Sequence, residues 1–200
     1  VRNKNTLYIL GLTGSIGAGK SETARMFKRL HVPVSEADTI VRKLYEDSSL
    51  FQERLSALFP HESVPLSRFQ VASLVMRDPF LLYKLEKIIH PFVREEHDKR
   101  IQSAREKGER LIVLDIPLLF ETGWKRDCDG VLVVTCRPEV QKKRVMSRQG
   151  MTEEKFELFQ QRQWEQEKKC ARADFILDTT EGRLHTFRQL RRLLEKHCKG

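Results

Sequence analysis

Gly14-Ser15-Ile16-Gly17-Ala18-Gly19-Lys20-Ser21 decides how the rest of the chain is read. The eight residues fit G-x-x-x-x-G-K-[ST] in full, and their neighbours supply the context that pattern requires. Leu7 to Leu12, just before, is a short apolar run that reads as a buried parallel strand. Ser21 to Leu30, just after, carries Ala24, Phe27 and Leu30 at helical spacing. Glycines permit the positive φ angles that turn successive N–H groups inward as an anion nest. The start of the helix adds its positive dipole end at the same point. Strand, loop and helix together make a phosphate-binding loop. Lys20 is expected to reach the β- and γ-phosphates of ATP, and the Ser21 hydroxyl to ligate Mg²⁺. Kinases, GTPases and ATP-driven motors share such a loop, so the remaining sequence must choose the reaction.

Working outward, Val32 to Val34 makes a second short strand that ends near Glu36-Ala37-Asp38, and Thr39 to Tyr45 resumes a helical pattern. From Asp47 to Gly108 the character changes. Leu55, Leu58 and Phe59, then Phe69 to Val75, then Leu81 to Ile89 are helical stripes, broken by Pro60, Pro65, Pro79 and Pro91, with no strand among them. Leu111 to Ile116 is the clearest buried strand, Val131 to Thr135 the next, and Phe175 to Leu177 a short last one. A highly charged stretch, Glu139 to Arg172, precedes that last strand, and Leu184, Phe187, Leu190 and Leu194 give the closing helix an apolar face. Strands alternating with helices predict an α/β fold, a P-loop NTPase core whose parallel sheet is flanked by helices, carrying a helical insertion.

Composition narrows the function classes. At 200 residues the chain can bury one sizeable core. With 40% hydrophobic and 32% charged residues it belongs to neither the disordered nor the membrane class. Its longest apolar runs are far too short to cross a bilayer. Val1 to Thr6 is polar and basic and reads as no secretory signal, so a cytosolic protein is expected. Cys128, Cys136, Cys170 and Cys198 form no C-x-x-C pair, which favours reduced thiols over a zinc site or a disulfide framework. The net charge of +9 asks for an anionic partner. Aromatic residues are only 8% and are not interleaved with the basic runs, which argues for a nucleotide-like ligand over a nucleic-acid strand.

Six segments in order then resemble the dephospho-coenzyme A kinase family. They are Ile9 to Ser21; Glu36-Ala37-Asp38, similar to the family's D-A-D; and Leu85 to Pro91, similar to its L-E-x-I-x-H-P. There follow Pro117-Leu118-Leu119-Phe120-Glu121, its P-L-L-F-E; Gln141-Lys142-Lys143-Arg144 with Arg148, resembling its arginine-bearing lid; and Ala173-Asp174. Together they span Leu7 to about Asp178. Three departures stand out: Glu36 for the first Asp of D-A-D, Glu22 where a Thr is usual, and Asp178-Thr179 where an Asn is customary.

The resemblance implies ATP·Mg²⁺-dependent phosphorylation of the ribose 3′-hydroxyl of dephospho-CoA. It also implies a nucleotide-binding core at 1–45, 111–137 and 173–200, an acceptor-binding helical domain at 46–110, and a lid at 138–172. Asp38 would be the general base, placed where α/β sheets bind ligands, although an N-cap for the helix from Thr39 is the plain structural alternative. Lys20 and Arg144 would stabilise the transferring phosphoryl group. The loop residues Gly14, Ser15, Ile16, Gly17, Ala18, Gly19, Lys20 and Ser21, with Glu22 and Arg148, would hold the nucleotide. Arg144 and Arg148, four apart on an expected helix, would share one face. Asp115 is a second candidate Mg²⁺ ligand beside Ser21. Arg68, His90, Pro91, Leu118, Leu119 and Glu121 would contact the acceptor, with Pro91 alternatively only ending a helix. No nucleic acid or membrane partner is expected, and the oligomeric state is left open by the sequence, with a monomer favoured over an oligomer. Two competitors remain: another small-molecule or nucleoside kinase on the same plan, and a nucleic-acid-stimulated ATPase supported by charge alone. An N-K-x-D guanine-reading motif is missing from the sequence, which weighs against a GTP switch.

Overall fold

The computed structural model describes residues 7–75 and 78–198; the polar opening Val1 to Thr6, read above for a secretory signal, and the Cys198 side chain lie outside the described residues. The chain forms two compact units, one from residues up to Ser35 together with Ser103 onward, the other Glu36–Gln102.

The first unit is the sheet unit. Its strands β1 (Tyr8–Gly14), β2 (Val34–Glu36), β3 (Leu111–Asp115), β4 (Gly130–Thr135) and β5 (Phe175–Asp178) line up as β2-β3-β1-β4-β5. β1 pairs in parallel with both β3 and β4, and β4 with β5. All of β3 and nearly all of β4 are buried, which is why both read as unbroken apolar runs. Helix α1 (Lys20–Arg29) and helix α9 (Arg183–Cys198) share a core with the sheet, in which Leu10, Leu12, Phe27, Val113, Val134 and Leu190 meet. The chain leaving β1 goes out to β2 at one edge, and the chain leaving β3 crosses to β4 on the other side of β1. Such a reversal opens a crevice at the carboxyl end of the central strand, the usual ligand position in open α/β sheets. The glycine loop occupies that end. Three shorter helices of the charged stretch belong to this unit: α6 (Pro138–Met146), α7 (Glu153–Gln161) and α8 (Gln166–Cys170).

Every element that lies wholly within the described residues of the second unit is a helix. The unit comprises α2 (Ala37–Asp47), α3 (Ser49–Leu58), α4 (Arg68–Val75) and α5 (Pro79–Glu106) as far as Gln102. Its own core gathers Phe51, Leu55, Leu66, Val71 and Leu85, with Tyr45 and Phe92 edge-on to Phe51 at 5.0 and 5.6 Å. Ser48 caps α3 by accepting the Phe51 N–H at 3.2 Å.

Two local expectations are corrected. Pro91 was expected to break or end a helix, yet α5 runs through it. The ring removes one main-chain bond and costs about 3 kcal/mol. Apolar positions on both sides, Leu85 before it and Val93 and Ile101 after it, are buried and offset that loss. Arg148 was expected to share a helical face with Arg144, but α6 ends at Met146, and Ser147, whose hydroxyl donates to the Arg144 carbonyl, begins a turn that closes at Gly150 with φ of 74°.

His97 on α5 is almost wholly buried, and that burial, reinforced by the neighbouring Arg100 charge, pushes its pKa from 6.5 down to about 4. The folded unit therefore holds a neutral imidazole at pH values where the unfolded chain is protonated. Stability should be fully present above pH 6.5 and fall as pH drops from 6.5 towards 4, by about 3 kcal/mol in total from this group. Urea midpoints measured across that range should fall less steeply in His97→Leu than in the native chain, and equal slopes would discount His97.

Candidate active site

Gly17 and Gly19 shape the loop. Their φ values of 78° and 105° lie in the left-handed region, and Gly19 serves as N-cap of α1 in that conformation. A side chain at Gly17 would collide with Val145 and with Gln141 of α6, and one at Gly19 would crowd Thr179. Positive φ and close neighbours thus both require glycine here. The Ala18 N–H closes a turn onto the Ser15 carbonyl at 3.0 Å. Ser21 is exposed in the first turn of α1.

Lys20 is the first residue of α1, and its Nζ lies 2.5 Å from Asp115 Oδ1 at the end of β3. Both side chains are largely withdrawn from solvent, at 13% and 7% exposure, so little water competes with the pair. The parallel pairing explains the encounter, because Asp115 stands opposite Leu12, a short distance before the loop leaves β1. Thr13 also donates from its hydroxyl to the Pro117 carbonyl at 3.0 Å, tying the end of β1 to the segment after β3.

Arg144 on α6 reaches the loop through Thr179. Its Nη1 and Nη2 donate to the Thr179 hydroxyl and carbonyl, each at 2.8 Å, and the same hydroxyl donates to the Ala18 carbonyl at 2.6 Å. Cys136, whose thiol burial moves upward in pKa against the opposing pull of Arg144, sits nearby, 3.9 Å from the Gly17 carbonyl. Glu22 is ion-paired with Arg25 at 2.7 Å and with Arg183 at 3.6 Å. An acid in the first turn of α1 also suits the helix dipole. Arg148 lies exposed in the turn beyond α6.

Downstream of β3, Leu118 is half-buried, whereas Leu119 is fully buried and offers no surface to a ligand. Glu121 Oε1 accepts the Trp164 N–H at 2.8 Å and lies 3.0 Å from Nζ of Lys169, a lysine with no exposed surface. Trp164 stacks on Phe120 with ring centroids 5.7 Å apart, and Lys168 and Arg172 lie over the Trp164 ring at 4.2 and 4.7 Å.

The remaining candidates belong to the helical unit. Asp38 is exposed in the first turn of α2, and its carboxylate has no hydrogen bond or ion pair among the described residues. The cap position falls to Glu36 instead, because α2 starts at Ala37. Arg68 is exposed at the start of α4, close enough for its charge to oppose the burial that raises the Tyr45 pKa. His90 is half-buried, and burial lowers its pKa, with Glu86 opposing and Arg94 and Lys87 adding to the shift. Pro91 follows it within α5.

Sequence reasoning missed Gln163, Trp164 and Lys169, and quoted Gln141 without giving it a task. All lie in the charged stretch, where no periodicity separates a contact from a solvated face. Among the described residues Cys128, Cys136 and Cys170 are free thiols, no group of His, Cys, Asp and Glu is arranged to hold a metal ion, and no helix is long and apolar enough to cross a membrane.

A family model described as dephospho-CoA kinase matches residues 8–184. A dephospho-CoA kinase of Rhodopseudomonas palustris is 40% identical over 195 residues, covering 96% of this chain and 97% of the relative. Another, from Mesorhizobium japonicum, is 46% identical over 178 residues, 88% of this chain and 89% of that protein. Among solved structures, one from Thermus thermophilus superposes with a TM-score of 0.82 at 34% identity, over 96% of this chain and 98% of that one.

Proposed function

The chain belongs to the dephospho-CoA kinase family, and from that premise we propose a division of labour among its residues. It is an enzyme that phosphorylates the ribose 3′-hydroxyl of dephospho-CoA with ATP, giving CoA and ADP, the last step of coenzyme A biosynthesis.

One observation carries the residue assignment: the strand end, the helix start, the Lys20–Asp115 pair and the Arg144–Thr179–Ala18 chain all converge on loop 14–21. The N–H groups from Gly17 to Lys20 cradle the ATP phosphates, and Lys20 gives them a fixed positive charge. Ser21 Oγ and the Asp115 carboxylate are hard oxygen donors, a set that suits Mg²⁺, and Asp115 already matches a cation in Lys20 Nζ. Mg²⁺ held there would neutralise negative charge on the phosphates. Arg144 is held by Thr179 beside the loop and is the arginine for the transferring phosphoryl group. Arg148 reaches the nucleotide from the turn beyond α6 on lid closure, and Ile16 and Glu22 frame the site. Asp38 orients the acceptor hydroxyl and takes its proton.

In this reading residues 46–110 bind the acceptor through Arg68, His90 and the helix around Pro91, and residues 138–172 form the lid. Leu118 and Glu121 face the acceptor, while Leu119 supports their loop from beneath. A closed lid keeps water from the γ-phosphate and limits ATP hydrolysis. Reduced thiols and a need for ATP suit the cytosol, and a monomer suffices for this chemistry.

The test is ADP release from purified protein with ATP·Mg²⁺ and dephospho-CoA, against ATP alone and against adenosine, AMP and shikimate as acceptors. Release should depend on dephospho-CoA, with CoA formed in equal amount. Equal rates with and without it, in protein that binds ATP, would contradict the activity.

A further inference from the structure

The glycine loop is gripped at Ile16 by two side-chain amides from the charged stretch. Gln141, on α6, donates from Nε2 to the Ile16 carbonyl at 2.7 Å. Gln163, just past the end of α7, accepts the Ile16 N–H through Oε1 at 3.0 Å. The backbone dictates both amide orientations, because a carbonyl can only accept and an N–H can only donate. Both polar groups of one loop residue are therefore held from outside the loop. The following residue, Gly17, lies against Val145 and Gln141, so α6 touches the loop tip by packing as well.

Gln163 is also joined to the segment after β3. Its neighbour Trp164 gives its N–H to Glu121 and its ring to Phe120, and the buried Lys169 balances the Glu121 charge. Gln163-Trp164 thus bridges two loops, one residue on each. A loop with glycines at 14, 17 and 19 has wide conformational freedom, and an anion nest works only while its N–H groups stay aimed at one point. Two bonds to the residue just before the nest restrict that freedom where it matters most.

We propose that Gln141 and Gln163 are positioning residues that clamp Ile16, keep the phosphate cradle preorganised, and register it to the Glu121 loop. The proposal rests on the reading of loop 14–21 as the phosphate cradle. Both glutamines are half-buried, and one amide hydrogen bond adds little net stability, so their loss should weigh on turnover far more than on folding.

The experiment compares the full-length native chain with Gln141→Leu, Gln163→Leu and the double variant. It reads kcat, KM for each substrate, and the melting temperature. A reactive centre misplaced by about 1 Å loses on the order of 10²-fold in rate, so each single variant should lower kcat by about tenfold to 10²-fold. KM for dephospho-CoA should stay within about threefold under the same argument, since the clamp does not touch that substrate. Because both bonds act on one residue, the double variant should fall little below the worse single one. Gln163→Asn, which keeps the amide but is one methylene too short, should behave like Gln163→Leu. Native-like kcat in the single variants, losses that multiply in the double variant, or losses that follow a fallen melting temperature would each overturn the clamp. Lys20→Ala run alongside separates the two ideas: full turnover in that variant would sink the phosphate-cradle reading itself, whatever the glutamines do.

Discussion

Lys20→Ala should lower kcat/KM for ATP by on the order of 10²–10³-fold, the usual loss when one preorganised charge-stabilising donor is removed. The expected loss has two sources. The cation that would meet the β- and γ-phosphates disappears, and Asp115, only 7% exposed, loses the ammonium 2.5 Å away that now balances it. The truncated site then presents an unmatched carboxylate where a polyphosphate must bind, so ATP affinity should fall together with turnover. Lys20→Arg should recover part of the binding and little of the rate. A planar guanidinium keeps the charge but does not place it as a compact ammonium does. Equilibrium binding of ATP beside steady-state rates would separate these effects, and near-native rates in Lys20→Ala would contradict the cradle.

The loop could be read from sequence because its chemistry is local. Eight consecutive residues carry the glycines, the lysine and the hydroxyl, and their flanking strand and helix announce themselves by apolar runs and 3.6-residue spacing. β3 and β4 were equally plain, since strands buried on both faces are apolar without interruption. β2 was less so. Val32 to Val34 was expected, but the strand is Val34–Glu36; Pro33 has no N–H to give and contributes only its carbonyl, to Val113 at 2.9 Å. Pro91 misled for the opposite reason: a local rule about proline was overridden by burial on both sides of it. The end of α6 was hidden in a stretch dense in charged and polar residues. What sequence could not offer at all is the set of contacts made across it. Gln163 and Ile16 are 147 residues apart, Gln141 and Ile16 are 125 apart, and no spacing rule links such pairs. The site's chemistry is written in short motifs, but its rigidity comes from tertiary partners that only the folded chain brings together.

Asp38→Asn should leave ATP affinity nearly unchanged and lower kcat by about 10²–10⁴-fold, the range for loss of a positioned general base. The structure sharpens this test by removing the rival role. An N-cap would have made the Asp38 carboxylate a structural group, but α2 begins at Ala37 and the cap position belongs to Glu36. The Asp38 carboxylate is exposed in the first turn and has no partner among the described residues. Its contribution to folding is then limited to favourable placement near a helix start, about 0.3–1 kcal/mol at most. A surface carboxylate with no partner among the described residues is free to meet a hydroxyl brought by the acceptor. Asparagine keeps its size and can still accept a hydrogen bond, yet it cannot take the proton. Orientation should therefore survive in part, with KM for dephospho-CoA little altered while the chemical step fails. Pre-steady-state rates of CoA formation would report that step directly. A variant that forms CoA at the native rate would remove Asp38 from the mechanism and send the search for the base to the other titratable groups of the helical unit, His90 first among them, whose pKa burial already lowers from 6.5.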